Sequence, residues 1–283
     1  MFTGGAFLFY FEHMEKIVFS LKDVHYSYLG KIPALCGINL EIKQGAKVAV
    51  IGANGSGKST LLTILDALLF PDTGSIEAFG RELKESLFGD PDFSRFFRSK
   101  VGFVFQNPDI QLFSPTVEED IIFGPLQLGA SFDEVRRRLD KLALSLGIRH
   151  LLKRAPHQLS IGEKRKVAIA SVLVIQPEIL LLDEPTANLD PQTTRDIVDI
   201  ILNEQASGRT VVIVTHDLHI MQELADTVYV LGSGRNIIRS TSVSEILSDQ
   251  QFLQDNNLVH IHRHRHQNAV HAHPHLHVEH PLI

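Results

Sequence analysis

The sequence predicts an α/β protein with three parts: a core of buried parallel strands, a small antiparallel β lobe ahead of it, and an inserted helical subdomain. Three observations carry this. Lys47-Val48-Ala49-Val50-Ile51, Ile179-Leu180-Leu181-Leu182 and Thr210-Val211-Val212-Ile213-Val214 are largely apolar runs, each followed by helix-like sequence, as expected for strands buried on both faces of a parallel sheet. Between residues 16 and 42, β-rich runs such as Ile17-Val18-Phe19-Ser20-Leu21 and Ile38-Asn39-Leu40-Glu41-Ile42 alternate with turn signals. Residues 107–176 hold no comparable strand run, and 132–146 and 164–175 show helical periodicity.

The remaining segments follow from composition. Residues 87–99 carry Gly89-Asp90-Pro91-Asp92 with a cluster of Phe and Arg, which predicts a surface excursion. After residue 250 the chain turns to His, Asn and Gln, predicting a tail over 251–283 that does not pack. The opening Met1-to-Phe11 stretch is apolar but has no basic leader and no small-residue cleavage site, so it fits a signal peptide poorly. Residues 1–14 are read as an N-terminal extension, with Met14 an alternative start.

With 283 residues, 44% hydrophobic and 21% charged, the chain can bury a large core. A net charge of −6 gives no broad attraction for nucleic acid, which is not expected as a partner. The single cysteine, Cys36, has no partner for an internal disulfide and fits a reducing compartment. No run reaches the roughly 18 to 20 apolar residues that cross a bilayer, so membrane association is expected to go through a partner.

Gly52-Ala53-Asn54-Gly55-Ser56-Gly57-Lys58-Ser59 satisfies G-x-x-x-x-G-K-[ST] between a buried strand and a helix start. Its glycines let backbone N–H groups converge on phosphate oxygens, and the helix N-terminus adds positive partial charge. Lys58 is placed to reach the β- and γ-phosphates of ATP and the Ser59 hydroxyl to ligate Mg2+. Thr60, next along, completes this cofactor-binding set. The strand at 179–182 ends in Asp183-Glu184, at the sheet edge where open α/β sheets bind ligands. Asp183 is expected to hold Mg2+ and Glu184 to accept the proton of the attacking water. His216, in Thr215-His216-Asp217, follows the third buried strand and is expected beside Glu184 and the γ-phosphate.

These motifs, in this order over residues 16–250, resemble the ABC ATPase family. The resemblance implies a P-loop NTPase fold of the ABC ATPase type, with the cassette spanning 15–250 and its helical subdomain about 107–176. It implies that Tyr28 stacks on adenine, that Gln106 in Val101-Gly102-Phe103-Val104-Phe105-Gln106-Asn107-Pro108 senses the γ-phosphate and Mg2+, and that Asp190 belongs to the D-loop. Tyr26 is the competing aromatic. The usual signature LSGGQ stands here as Leu159-Ser160-Ile161-Gly162-Glu163. Ser160 and Gly162 keep the hydroxyl and N–H that face phosphate, while Glu163 adds a negative charge and local repulsion. Because signatures in this family close over the partner's phosphate loop, the resemblance implies a dimer with two shared sites.

Phe105-Gln106-Asn107-Pro108-Asp109-Ile110-Gln111-Leu112-Phe113 and Asp120-Ile121-Ile122-Phe123-Gly124-Pro125 resemble the energy-coupling-factor group. That implies partnership with a transmembrane coupling protein and a substrate-binding membrane subunit at the cytoplasmic face of the membrane. Its substrates are chiefly vitamins, nickel and cobalt.

Nine of the 15 histidines fall between residues 260 and 280, largely at alternate positions: His260, His262, His264, His266, His271, His273, His275 and His277. Neutral imidazole suits nickel, cobalt and zinc, so these are candidate transition-metal ligands. Tail and resemblance together point to nickel or cobalt import. A vitamin importer and a metal-binding ATPase or chaperone that drives no transport are the alternatives.

Overall fold

The computed structural model describes residues 16–266 and 269–275, with side chains over 16–259. Strands β1 (Ile17–Tyr28) and β2 (Ile32–Lys43) pair antiparallel. β3 (Lys47–Gly52) leads through a loop into α1 (Lys58–Leu65), and β4 (Thr73–Ala78) with β5 (Arg81–Glu82) returns to β1, giving a four-stranded sheet ordered β2-β1-β4-β5. The next stretch is α2 (Pro91–Lys100), β6 (Val101–Val104), then the helices α3 (Val117–Gln127), α4 (Phe132–Ser145) and α5 (Ile161–Leu173). β7 (Ile179–Asp183), α6 (Pro191–Ala206), β8 (Thr210–Val214), α7 (Leu218–Leu224), β9 (Thr227–Leu231) and β10 (Ile237–Ser242) follow, then α8 (Val243–Ser248) and α9 (Gln250–Asp255). The central sheet is ordered β10-β9-β3-β8-β7-β6, parallel throughout except for the β9–β10 pair.

Alternation along the parallel strands explains why they read as unbroken apolar runs. Val48, Val50, Leu181, Val212 and Val214 face a core shared with the antiparallel lobe and α1. Ala49, Ile51, Leu180, Leu182, Val211 and Ile213 face a second core built with helices α3 to α6. Each strand is thus covered on both faces, as a parallel sheet requires. The strand order sets β3 between β9 and β8, with β7 next. In register, Val50 lies opposite Val214, and Val214 opposite Asp183, so the loops leaving β3, β7 and β8 emerge side by side.

Two sequence expectations are corrected. Residues 87–99 are not merely a surface excursion: α2 is amphipathic, Phe93 and Phe97 are buried in the lobe core, and Arg98 lies over the rings of Phe88 and Phe97. Nor does packing stop at residue 250, because α9 seats Leu253 at 2% exposure and Leu258 and Val259 lie against the helical core. Beyond Val259 the backbone forms an antiparallel pair, β11 (His260–His266) with β12 (Ala269–His275). The extension at residues 1–14, His277 and the side chains of the other tail histidines lie outside the described residues. Among the described residues no helix is long and apolar enough to cross a membrane.

Candidate active site

The site grows from one helix end. Gly57 caps α1 in the left-handed region at φ 102°, and no side chain caps the helix, so its first N–H groups remain directed at the loop's concave face. A side chain at Gly57 would put Cβ 2.3 Å from the Ala34 carbonyl oxygen, so close approach as well as conformation demands glycine. Lys58 is buried and its Nζ donates to the carbonyls of Gly52 (2.8 Å) and Ala53 (3.1 Å). Burial lowers its pKa, while Glu184 and Asp183 push it back up.

Asp183 and Glu184 emerge from β7 beneath this loop, both buried. Burial raises the Asp183 pKa, opposed by a hydrogen bond from Ser59. Its Oδ1 has no hydrogen-bond partner among the described residues, and neither does Ser56 Oγ. A buried carboxylate oxygen without a partner beside a serine hydroxyl is the hard-oxygen donor set that suits Mg2+. Asp183 and Ser59 therefore fit a Mg2+ that would neutralise phosphate charge. Glu184 sits at φ 46°, left-handed for a residue with a side chain, a conformation that costs about 1–2 kcal/mol. Its N–H is held by the Val214 carbonyl at 3.0 Å, and its Oε2 lies 2.9 Å from His216 Nδ1. That hydrogen bond raises the His216 pKa, with desolvation opposing it. The pair can shuttle a proton from water, the carboxylate as base and the imidazole as its orienting partner.

One cavity of ≈ 500 Å3 is lined by Tyr28, Asn54, Gly55, Gly57, Lys58, Ser59, Thr60, Gln106 and Glu184. Tyr28 Oη lies 3.0 Å from Thr60 Oγ1, and its ring meets Tyr26 edge-on at 5.1 Å, so Tyr28 borders the cavity while Tyr26 packs against the lobe core. Ile32, Pro33, Ala34, Val214 and Arg235 also line it. None of these five was legible as a site residue. They come from a lobe hairpin, a strand end and the β9–β10 turn, elements with no phosphate-binding motif.

Ser160 and Gly162 stand apart from this cavity, at the N-terminus of α5. The carboxylate expected to add local repulsion is engaged within its own loop: Glu163 Oε2 accepts from Ser160 N–H at 2.8 Å and Ser160 Oγ accepts from Glu163 N–H at 3.3 Å, a closed capping box. The bond from the Ser160 N–H, the largest cause, holds the Glu163 pKa low, and the Ser160 side chain adds to it against the opposing effect of burial. Gly162 lies against α6, where a Cβ would come within 2.8 Å of Thr193 Cγ2. Thr193 Oγ1 in turn donates to Asp190 Oδ2 at 2.6 Å, so the signature and D-loop residues of one chain meet at this contact.

A phosphate loop, a carboxylate pair at the carboxyl edge of a parallel sheet and an inserted helical subdomain define a nucleoside-triphosphate hydrolase of the phosphate-loop class. The chain matches the ABC transporter family over residues 35–187. It is similar to the nickel import ATP-binding protein NikO of Rhodobacter capsulatus, 45% identical over 85% of this chain and 95% of that protein. It is equally similar, at 45% identity, to the energy-coupling factor transporter ATP-binding protein EcfA of Methanothermobacter thermautotrophicus, over 84% of this chain and 75% of that one. Among solved structures it superposes on cbiO1 of Clostridium perfringens, part of the ABC transporter complex cbiONQ, with TM-score 0.72 and 36% identity over 86% of this chain and 96% of the other. A dimeric ATP-binding cassette, MJ0796, bound to ADP and Pi in a post-hydrolysis state, superposes with TM-score 0.70 and 30% identity over 80% and 98%. The chain belongs to the ABC transporter ATP-binding family, and it hydrolyses ATP to energise transport.

Proposed function

We propose that the chain powers uptake of a divalent transition metal ion, nickel or cobalt, as one half of an ATPase dimer at the cytoplasmic face of the membrane. Its partners are a transmembrane coupling protein and a substrate-binding membrane subunit. In each site, Lys58 and the backbone of residues 52–59 hold the triphosphate. Tyr28 stacks on adenine, Ser59, Asp183 and Gln106 attend Mg2+, Glu184 takes the proton of the attacking water, and His216 orients both. Ser160, Gly162 and Asp190 of the second chain complete the site. The observation that carries the ATPase chemistry is the meeting of buried Lys58 and Glu184 on one cavity, with buried Asp183 next in the chain and His216 Nδ1 2.9 Å from the Glu184 carboxylate.

Docking to a membrane partner is supported by an exposed apolar patch downstream of Gln106. Ile110, Phe113 and Phe123 are 63%, 67% and 45% exposed, and the two phenylalanine rings meet edge-on at 5.1 Å. Such a patch on a charged surface marks an interaction site. The metal assignment rests on the tail and on the nickel importer among the relatives. In the β11–β12 pair, His260 stands opposite His275, His262 opposite His273 and His264 opposite His271. Three histidine pairs in register offer a concentration of imidazole suited to late first-row metals. The energy-coupling relative is as similar as the nickel importer and keeps a vitamin importer as the second reading.

Two experiments test this. In the assembled transporter, Lys58→Ala and Glu184→Gln should each lower ATPase activity and nickel or cobalt uptake by about 10²-fold or more. Activity surviving both changes refutes the site assignment, and vitamin uptake without metal uptake selects the second reading. Calorimetric titration of Ni2+, Co2+ and Zn2+ into the full chain and into a version ending at Val259 should show binding only to the full chain. Equal binding by both removes the tail from the argument.

A further inference from the structure

The segment that brings Gln106 to the nucleotide cavity leaves β6 at Phe105, and both polar groups of the Phe105 backbone are held by side chains. Its N–H donates to Gln111 Oε1 at 3.2 Å, and Gln111 Nε2 donates onward to the Ala168 carbonyl at 2.7 Å and to Ser171 Oγ at 3.0 Å. Its carbonyl accepts from Arg165 Nη1 at 2.8 Å. Ala168, Ser171 and Arg165 all belong to α5, the helix that starts at the signature loop. A third tether, Lys164 Nζ to Asp109 Oδ1 at 2.6 Å, joins the same two segments further out. Backbone groups at strand ends are ordinarily bonded to neighbouring strands or water, so this double side-chain capture is a specific fixture.

Arg165 is an unusual residue for a mere packing role. It is 2% exposed, and its Nε has no hydrogen-bond partner among the described residues. Burial lowers its pKa, and the negative charges of Asp183 and Glu184 offset that only in part. A hydrophobic residue of similar length would fill the space without that desolvation cost. What the guanidinium adds is a fixed bond to the Phe105 carbonyl and a positive charge beneath the catalytic carboxylates.

We propose that Gln111 and Arg165 are positioning residues that clamp the Phe105 peptide to the signature helix, so that Gln106 and the Ser160–Gly162 loop of one chain move as a single body. The proposal rests on the shared-site dimer described above. There Gln106 serves the chain's own nucleotide while Ser160 and Gly162 serve the partner's. The clamp therefore ties the arrival of phosphate in one site to the geometry of the other. Lateral errors of about 1 Å in a positioning group cost up to about 10²-fold in rate, so loosening the clamp acts on turnover more than on binding.

The test uses Gln111→Leu and Arg165→Lys in the assembled transporter, each made alone and in a Gln106→Ala background. Steady-state ATPase, equilibrium ATP binding and thermal melting are recorded for each. Alone, each variant should lower kcat about tenfold with ATP affinity within about threefold of wild type. In the Gln106→Ala background neither should lower kcat further, because the clamp acts through Gln106. Equal fractional losses in both backgrounds, or unchanged kcat in the wild-type background, overturn the clamp. Arg165→Lys keeps the charge and most of the volume, so it serves if Gln111→Leu does not fold. A wild-type complex without ATPase activity overturns the functional reading and the clamp together. Active wild type with unaffected variants overturns the clamp alone.

Discussion

The phosphate loop and the signature loop each present a helix N-terminus where phosphate is expected, but the two ends are finished differently. Gly57 at the start of α1 offers no side chain, and the first turn carries no acid. Ser160 at the start of α5 closes a capping box with Glu163, so that the Ser160 and Glu163 N–H groups are already bonded within the chain. An uncapped helix end keeps its four orphan donors for an anion, whereas a self-capped end is stable alone and surrenders donors only in exchange for something better. The first end is built to bind ATP within a single chain. The second is closed within its own chain, and in the proposed dimer a phosphate from the partner subunit is what it has to gain from.

Breaking the first end should be the most damaging change available. Gly57→Ala meets the Ala34 carbonyl at 2.3 Å and must hold φ 102°, so loop and lobe cannot both keep their places. Left-handed strain alone costs about 1–2 kcal/mol, and displacement of the backbone adds to it. ATP binding measured by equilibrium dialysis should fall by more than about 10²-fold, together with a lower melting temperature. Gly162→Ala is the matching change at the second end. Its Cβ would lie 2.8 Å from a methyl of Thr193, a side chain that can turn aside, though at the expense of its 2.6 Å bond to Asp190. ATP binding to the single chain should be unchanged. ATPase of the dimer should drop by roughly tenfold, as loss of one positioned hydrogen bond predicts.

This contrast also explains what the sequence could disclose. The parallel sheet, the lobe and the helical insert were legible because period and composition are local properties, and the phosphate loop was legible because its function resides in backbone. Residues 87–99 were misread for the opposite reason. Gly89-Asp90-Pro91-Asp92 looks like a turn, but Asp90 caps α2 and Pro91 occupies its first position, so the same residues start a helix whose Phe93 and Phe97 plug the lobe core. The left-handed Glu184 was not legible, since nothing in Asp183-Glu184 announces it. The tethers from Gln111 and Arg165 to Phe105 cross up to 60 residues of sequence, and only the fold brings them together.

The far end of α1 sharpens the comparison through pH. Asp66 caps its C-terminus, is buried and is pushed up to about 7, with Arg98 pulling the other way. A carboxylate at a helix C-terminus opposes the dipole, and burial removes its water. Because the folded value lies above the unfolded one, the unfolded chain loses this proton first as pH rises from about 4 to 7. This group's contribution to stability therefore falls across that window and levels off above it. Urea unfolding of wild type and Asp66→Asn at pH 5 and pH 8 isolates the effect. Wild type should lose stability relative to the variant on going from pH 5 to pH 8, by an amount on the order of a few kcal/mol. A constant difference between the two proteins contradicts the assignment.

The smallest expected effect bears most directly on the self-capped end. Glu163→Gln leaves an acceptor for the Ser160 N–H, so the capping box survives, and only the charge is removed. Loss of a carboxylate from the first turn of α5 should cost roughly 0.3–1 kcal/mol of stability, because it gives up its interaction with the helix dipole. The same change removes a negative charge from the surface that meets the partner's γ-phosphate in the proposed dimer. ATPase of the assembled transporter should therefore rise by about two- to fivefold in kcat/KM, most visibly at low salt where charges are least screened. Opposite signs for stability and activity would show that Glu163 stabilises the waiting state of the loop at the expense of the working one. A fall in both would mean that the carboxylate itself is needed when the two chains close.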